Sequence, residues 1–288
     1  MPALNARDLR RKIKSIGNIK KITRAMQMVS AAKLKKVQER LMQLRPYSDK
    51  IALFVEGLAG QLKELKFELA QPRAQVKRVG IVLVMADKGL CGSYNSNMAR
   101  FADRFVADLG KPVDLVAIGR KSLDYAKAAG LEPKAQYLQL PTEIPFNEIK
   151  AMTKKLVDGF LSKQVDEVHL LFTRYVNALT FKPGSVKFLP VEPPKADHAV
   201  KHVAEYEFEP EPAEILNHLI PRYVEVTFHR LLLESMSSEH AARMNAMRNA
   251  TDNASDLITS LTLVYNKARQ SGITRELIDI VGGAEALK

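Results

Sequence analysis

The sequence predicts an α/β protein in which long helices from the two ends of the chain wind around each other and a doubly wound, Rossmann-like domain lies between them. Two observations predict it. At both extremes apolar residues advance by three and four, whereas from about residue 75 to 195 continuous apolar runs alternate with helical patterns. A helix with an apolar stripe cannot bury that stripe locally, so the ends must meet in space or clasp a partner.

The C-terminal repeat is the clearer one. Met247, Ala250, Ala254, Leu257, Leu261, Val264 and Ala268 follow at steps of 3, 4, 3, 4, 3 and 4. That is an a/d heptad seam, the spacing that supercoils helices left-handedly. Its Ala residues allow a partner backbone to come close. Asn245, Arg248, Asn249, Asp252, Asn253 and Asp256 mark a polar opposite face. A surface helix packed on its own domain is the competing reading, and sustained heptads favour the coil. At the other end Leu9, Ile13, Ile16, Ile19, Ile22, Met26 and Val29 step in the same way. After a slip near Lys33, Leu34, Val37, Leu41 and Leu44 resume. Residues 4–45 would span about 60 Å as helix. Pro46 is expected to kink or end this segment, with helix resuming from Tyr47 to about Leu65.

In the middle, Val79–Met85 reads as a buried strand and Met98, Phe101, Phe105 and Leu109 as a helix face. Val113–Ile118 is a second strand, with a helix over Lys121–Ala129. Ala135–Leu140 is a third strand, Phe146–Ser162 a helix and Val168–Tyr175 another strand. Val186–Leu189 is its hairpin mate after Pro183-Gly184. Strand–helix alternation with apolar strands calls for a largely parallel sheet covered on both faces. Residues 196–211 read as a connector, where Glu205, Glu207, Glu209 and Glu211 alternate with Tyr206, Phe208 and Pro210 as an edge strand would. The domains are therefore 1–70 (helix), 75–195 (α/β), 196–211 (connector) and 212–288 (helix, bent at Pro221).

Composition is that of an ordinary soluble domain, with 46% hydrophobic and 26% charged residues among 288. The longest strongly apolar run, Ile81–Ala86, is far too short to span a bilayer. The first thirty residues are basic and acid-poor, as in a transit peptide. They are not Ser-rich, and their helical pattern runs on, so they read as mature structure. One Cys, Cys91, excludes an internal disulfide framework and fits a reducing compartment. The net charge of +12 is concentrated at the front, where residues 1–36 hold eleven Lys or Arg and one acid. Such a helix could meet nucleic acid, anionic lipid or an acidic protein surface. Residues 1–46 contain no aromatic side chain, which leaves base stacking and an interfacial membrane helix unsupported.

Chemistry is sparse. The strand end Ala86-Asp87-Lys88-Gly89-Leu90-Cys91-Gly92-Ser93-Tyr94-Asn95 lies where doubly wound sheets bind ligands, yet it is neither GxGxxG nor a Walker loop. Cys91 as a nucleophile has no evident base, since His169 opens a strand. Asp87 and Lys88 read as a strand-end turn with a local ion pair. His198 and His202, four apart, would need a third metal ligand that is missing nearby. No cofactor and no metal site is expected.

Several runs resemble the gamma subunit of F-type ATP synthases. They are Lys21-Ile22-Thr23-Arg24-Ala25-Met26-Gln27-Met28-Val29-Ser30-Ala31-Ala32-Lys33, Asp87-Lys88-Gly89-Leu90-Cys91-Gly92, Ser238-Glu239-His240-Ala241-Ala242-Arg243-Met244, Ala250-Thr251-Asp252-Asn253-Ala254, and Tyr265-Asn266-Lys267-Ala268-Arg269-Gln270 with Ile273-Thr274. The resemblance covers the whole chain. Lys88 stands where the family usually has Arg. The resemblance implies a long antiparallel coiled coil that enters an alpha3beta3 catalytic hexamer. The α/β domain would sit outside with the epsilon subunit, on the membrane c-subunit ring. It further implies a non-catalytic rotor, one copy per complex, on the cytoplasmic face of a bacterial plasma (inner) membrane, with no nucleic acid partner. Met26, Glu239, Arg243, Arg269 and Gln270 match positions where the shaft touches or couples to the ring. Packing within the coil is the plainer role for each of them.

Overall fold

The computed structural model describes residues 6–57, 67–192 and 212–285. Helix α1 runs over Ala6–Gly57, followed by a 3-10 turn at Glu68–Ala70. Then come β1 (Val79–Val84), α2 (Tyr94–Leu109), β2 (Val113–Ile118), α3 (Arg120–Ala128), β3 (Ala135–Tyr137), α4 (Phe146–Leu161), β4 (Glu167–Tyr175) and β5 (Phe181–Leu189). Helix α5 closes the chain over Pro212–Glu285. Among the described residues no helix is long and apolar enough to cross a membrane. The chain divides into two compact units. One joins the front of α1, through Ser30, with α5 from Met244 onward; the other is Ala31–Arg243.

In the larger unit the sheet order is β3-β2-β1-β4-β5. The first four strands are parallel and β5 pairs antiparallel with β4. Each strand turns alternate side chains to opposite faces. Val79, Ile81 and Leu83 join Leu115 and Leu171 in packing on Met98 and Ala102 of α2 and Ala126 of α3. Val82 and Val84 face the other way, with Leu170, Phe172 and Phe188. There they meet Ile149, Met152 and Phe160 of α4 and Leu216, Ile220, Val224, Phe228 and Leu232 of α5. Helix α5 is therefore part of the α/β core, which is why its start is apolar on more than one side. The Rossmann-like sheet is as expected.

Within this unit α1 and α5 run antiparallel: the Lys33 charge bears on His240, Arg40 on His229, and the Arg222 Nε donates to the Tyr47 hydroxyl at 3.1 Å. Partners on α5 descend as positions on α1 rise. Two local expectations need correcting. Pro46 does not end α1, which continues to Gly57. Ser48, Ile51 and Val55 beyond it are all buried, and their packing outweighs the one backbone bond that Pro46 cannot make. Pro183-Gly184 is not the hairpin turn but lies inside β5, opposite Thr173 and Phe172. The turn is set by Asn177, whose Oδ1 accepts from the Leu179 and Thr180 N–H groups at 2.9 and 2.8 Å. A proline is tolerated in β5 because that strand ends the sheet. The expected edge strand at 205–211, the His198/His202 pair and the end of the first helix beyond Gly57 lie outside the described residues.

Candidate functional site

The smaller unit carries the seam, which keeps Leu9, Ile13, Ile16, Met247, Ala254, Leu261 and Ala268 of the expected one and shifts by one residue at positions between and beyond them. On α1 the covered positions are Leu9, Ile13, Ile16, Lys20, Thr23, Gln27 and Ser30, at steps of 4, 3, 4, 3, 4 and 3. On α5 they are Met247, Thr251, Ala254, Ile258, Leu261, Tyr265 and Ala268, with the same steps. Thr23 and Thr251 meet hydroxyl to hydroxyl at 2.8 Å. One hydroxyl donates across this pair and the other donates to its own helix, with the Lys20 carbonyl 3.1 Å from Thr23 Oγ1 and the Met247 carbonyl 2.8 Å from Thr251 Oγ1. With both buried hydroxyls satisfied, a polar seam is tolerated. The rhythm is unbroken across Ser30, so the apparent slip near Lys33 is not a slip of the structure. The seam passes from apolar to polar side chains and back.

The consequence is on the outside. Ile22 is 59% exposed, Val29 56% and Leu257 53%. Ile19, Met28, Leu263 and Val264 are exposed with them, as are Ile273, Leu277, Ile278, Ile280 and Val281 toward the end of α5. One residue is about 100° of helix, so a one-position change of phase takes a side chain from seam to solvent. Among the residues expected to meet a partner, Arg269 and Gln270 are exposed and Met26 is half-buried, its carbonyl accepting from the Ser30 hydroxyl at 2.8 Å. A two-helix unit with this much uncovered apolar surface is an interaction surface.

The remaining two expected residues belong to the larger unit and face inward. Arg243 Nη1 donates to Glu239 Oε1 at 2.7 Å, Nη2 to the Lys88 carbonyl at 3.0 Å and Nε to the Gly89 carbonyl at 3.3 Å. This guanidinium clamps the loop after β1 onto α5. Asp87 Oδ1 accepts from the Arg120 N–H at the start of α3, and Asn95 Oδ1 accepts from the Ala86 N–H. Tyr94 is fully buried with its hydroxyl 2.9 Å from Ser235 Oγ. Ser238 Oγ donates to the Thr173 carbonyl at 3.0 Å. The mouth of the sheet, where a doubly wound fold would hold a ligand, is thus filled by α5. Asp87, Tyr94, Gly119, Ser235 and Glu239 leave a gap of about 40 Å³, an order of magnitude below a ligand pocket.

Cys91 sits in this packing. Its thiol is pushed up by burial, with Asn95 Nδ2 donating to the sulfur at 3.1 Å, which is the opposite of thiolate activation. His169 is on β4, bonded to Glu167 and packed on the Phe105 ring with centroids 5.3 Å apart. Among the described residues no group of three His, Cys, Asp or Glu could hold a metal. The sequence assigned Glu239 and Arg243 to a partner contact and not to this clamp. The signal that could have found it is the pairing of Glu239 with Arg243 at i,i+4, a helix ion pair, on a face too apolar to leave it in water.

Desolvation dominates the electrostatics here. Burial, then the Arg243 and Lys33 charges, lower the His240 pKa to about 4. Arg243 Nη1 lies 3.5 Å from His240 Nδ1, which as an acceptor must be unprotonated. Unfolded, His240 takes a proton near pH 6.5. Between those two values the unfolded chain binds the extra proton, so stability present above pH 6.5 is lost as pH falls toward 4, by about 3 kcal/mol. Glu239, raised by burial, acts in the opposite direction. Urea unfolding at pH 7 and 4.5 should therefore show a steeper acid loss in the native chain than in His240→Gln. Equal slopes would exclude the histidine as the source.

A family model described as ATP synthase matches residues 5–287. The chain is 42% identical over 287 residues to the ATP synthase gamma chain of Symbiobacterium thermophilum, covering 99% of each. It is 43% identical over 284 residues to that of Desulforamulus reducens, again covering 99% of each. The chain belongs to the ATP synthase gamma chain family. Among solved structures, the chain is similar to one of the Tetrahymena thermophila mitochondrial ATP synthase central stalk and c-ring, at TM-score 0.59 and 27% identity. It matches over 80% of this chain and 99% of that one. A chain of the Euglena gracilis mitochondrial ATP synthase rotor shares the fold at TM-score 0.64 and 17% identity, covering 93% and 98%.

Proposed function

We propose that this chain is the central-stalk rotor subunit of an F-type ATP synthase. It is itself non-catalytic, and transmits torque between the ion-driven membrane c-subunit ring and the catalytic alpha3beta3 hexamer during ATP synthesis or hydrolysis. The observation that carries the reading is the exposed apolar surface of the two-helix unit, in a chain matched end to end by gamma chains. Ile19, Ile22, Leu257 and Val264 lie off the internal seam, so their burial must come from a sleeve around the coil. Such a sleeve meets a different face of the shaft at each subunit. Turning the shaft then shifts each catalytic site among its conformations by differential contact energy. The partners are one alpha3beta3 hexamer, the epsilon subunit and the c-ring, with one gamma per complex. The location is the cytoplasmic face of the bacterial inner membrane, as a peripheral protein, with a proton or sodium ion as the coupling ion.

Arg269 and Gln270, exposed on α5, are proposed to touch the hexamer, and Met26 to lie at the edge of that contact. Arg243, paired with Glu239, acts through the Lys88–Gly89 backbone that it holds. The testing experiment is assembly: with purified alpha and beta subunits the chain should co-purify at one copy per three of each. Ile22→Asp with Val264→Asp should reduce that assembly at least tenfold with unchanged helicity. Unimpaired assembly would overturn the reading. Arg269→Ala with Gln270→Ala should leave stability within about 0.5 kcal/mol, as for surface changes. It should nevertheless depress ATP synthesis in reconstituted vesicles several-fold, and equal losses of both would reduce these residues to structure.

A further inference from the structure

Where it lies in the larger unit, α1 is gripped from both flanks. Leu34 and Val37 are buried on its inner face. On one flank Lys36 Nζ lies 2.9 Å and Arg40 Nη2 3.2 Å from the two oxygens of Glu143, in the loop after β3. On the other, Gln38 Nε2 donates to the Tyr175 hydroxyl at 2.7 Å, at the end of β4. At about 100° per residue, Gln38 stands about 200° around the helix from Lys36 and about 160° from Arg40. The strands that carry the two anchors are separated in the sheet by β2 and β1, and both anchors lie at carboxyl ends of parallel strands. Each anchor is itself tied to α5. The Glu143 loop leads into Phe146, whose ring lies 4.3 Å from the Arg222 guanidinium and 6.4 Å from the His229 ring. The Tyr175 strand is held through Thr173, whose carbonyl accepts from the Ser238 hydroxyl. A frame therefore closes from α1 through the sheet domain to α5 on both sides. The Glu143 side chain is 44% exposed, and exposed ion pairs add little to folding stability. What opposed ties restrain is a motion, because each one stops the helix from rolling toward the other.

We propose that Glu143 and Tyr175 are positioning residues that brace α1 from both flanks, so that the helix cannot roll or swing against the sheet. On the rotor reading, from which its purpose follows, the brace makes α1 carry torque together with α5. Helix α5 is embedded in the core that the sheet builds, whereas among the described residues α1 adds no member to that core between 34 and 48. Without the brace this stretch would transmit only what α5 passes to it.

The brace is read in the full chain, after Cys91→Ala, from spin labels on Met42→Cys of α1 and Lys182→Cys of β5, both at exposed positions. Glu143→Ala with Tyr175→Phe should at least double the width of the distance distribution, with helicity unchanged. Salt at about 1 M, where the screening length is about 3 Å, should widen the native distribution and leave that of Glu143→Ala unmoved. Charge exchange, Glu143→Arg with Lys36→Glu and Arg40→Glu, should restore the native width, which a loss of packing would not allow. An unchanged width in the double variant, or a width that charge exchange fails to restore, overturns the brace. In the complex with alpha3beta3, the angular spread of a bead carried on the α/β unit of the stalled rotor should rise at least twofold in the same double variant. A wider label distribution with an unchanged angular spread overturns torque transfer through α1. Failure of the native chain to assemble with alpha3beta3 overturns the rotor reading instead, and the label distances then decide the brace.

Discussion

Gly119→Ala is expected to abolish cooperative folding of the α/β unit. Gly119 links β2 to α3 at φ +86°, a conformation that costs any other residue strain. Worse, an added Cβ would collide with the Met85 carbonyl, and that carbonyl cannot move independently. Met85 N–H donates to Ile118 at 2.9 Å, Lys121 N–H donates to Ala86, and Gly119 N–H donates to Tyr137 at 2.8 Å. Three parallel strands converge on this point, so relief of the clash must separate them. The expected loss is upward of about 4 kcal/mol, in the range reserved for backbone collisions and incompatible dihedrals. Urea unfolding followed by circular dichroism checks it. A variant within about 1 kcal/mol of the native chain would mean that the junction of β1, β2 and α3 yields to a methyl group at little cost.

Arg243→Ala is expected to be nearly as costly, for an electrostatic reason. The side chain is almost wholly covered, and so is Glu239 beside it. Removing the guanidinium leaves a buried carboxylate without its partner, which costs about 3–5 kcal/mol. It also strips donors from the Lys88 and Gly89 carbonyls. Adding Glu239→Gln removes the stranded charge, so the double variant should be more stable than Arg243→Ala alone, an ordering that simple loss of packing does not produce. Amide exchange should localise the damage to residues 87–92. Leu90 sits there at φ +61° and 63% exposed, between the two carbonyls that Arg243 holds and the buried Cys91. If the double variant is no better than the single one, the clamp is a matter of packing.

Much of the fold was legible because its signals are local. A run such as Val79–Val84, apolar at every position, is buried on both faces and can be placed without knowing what covers it. The helix faces of the middle domain are of the same kind. The errors arose where a residue's role depends on something distant. Pro183 reads as a turn until the sheet order shows that it lies on an edge strand. Pro46 reads as a stop until Ile51 and Val55 are seen in a core. The partner-facing residues divide in the same way: Arg269 stands in solvent as its position suggests, whereas Arg243 is taken up by a loop more than 150 residues away in sequence.

The coiled coil shows the division most clearly. The order of residues determined that both ends are helical, that each carries a 3-4 rhythm, and that an α/β sheet lies between them. Periodicity fixes spacing, but it cannot fix phase when two candidate stripes lie one residue apart, as Ile22 and Thr23 or Val264 and Tyr265 do. Tertiary structure made that choice, because only the opposed helix decides which stripe is covered. Where the two stripes diverge it covered Thr23 and Thr251, whose hydroxyls meet, and left Ile22, Val29, Leu257 and Val264 exposed, while Met247, Ala254, Leu261 and Ala268 stay covered.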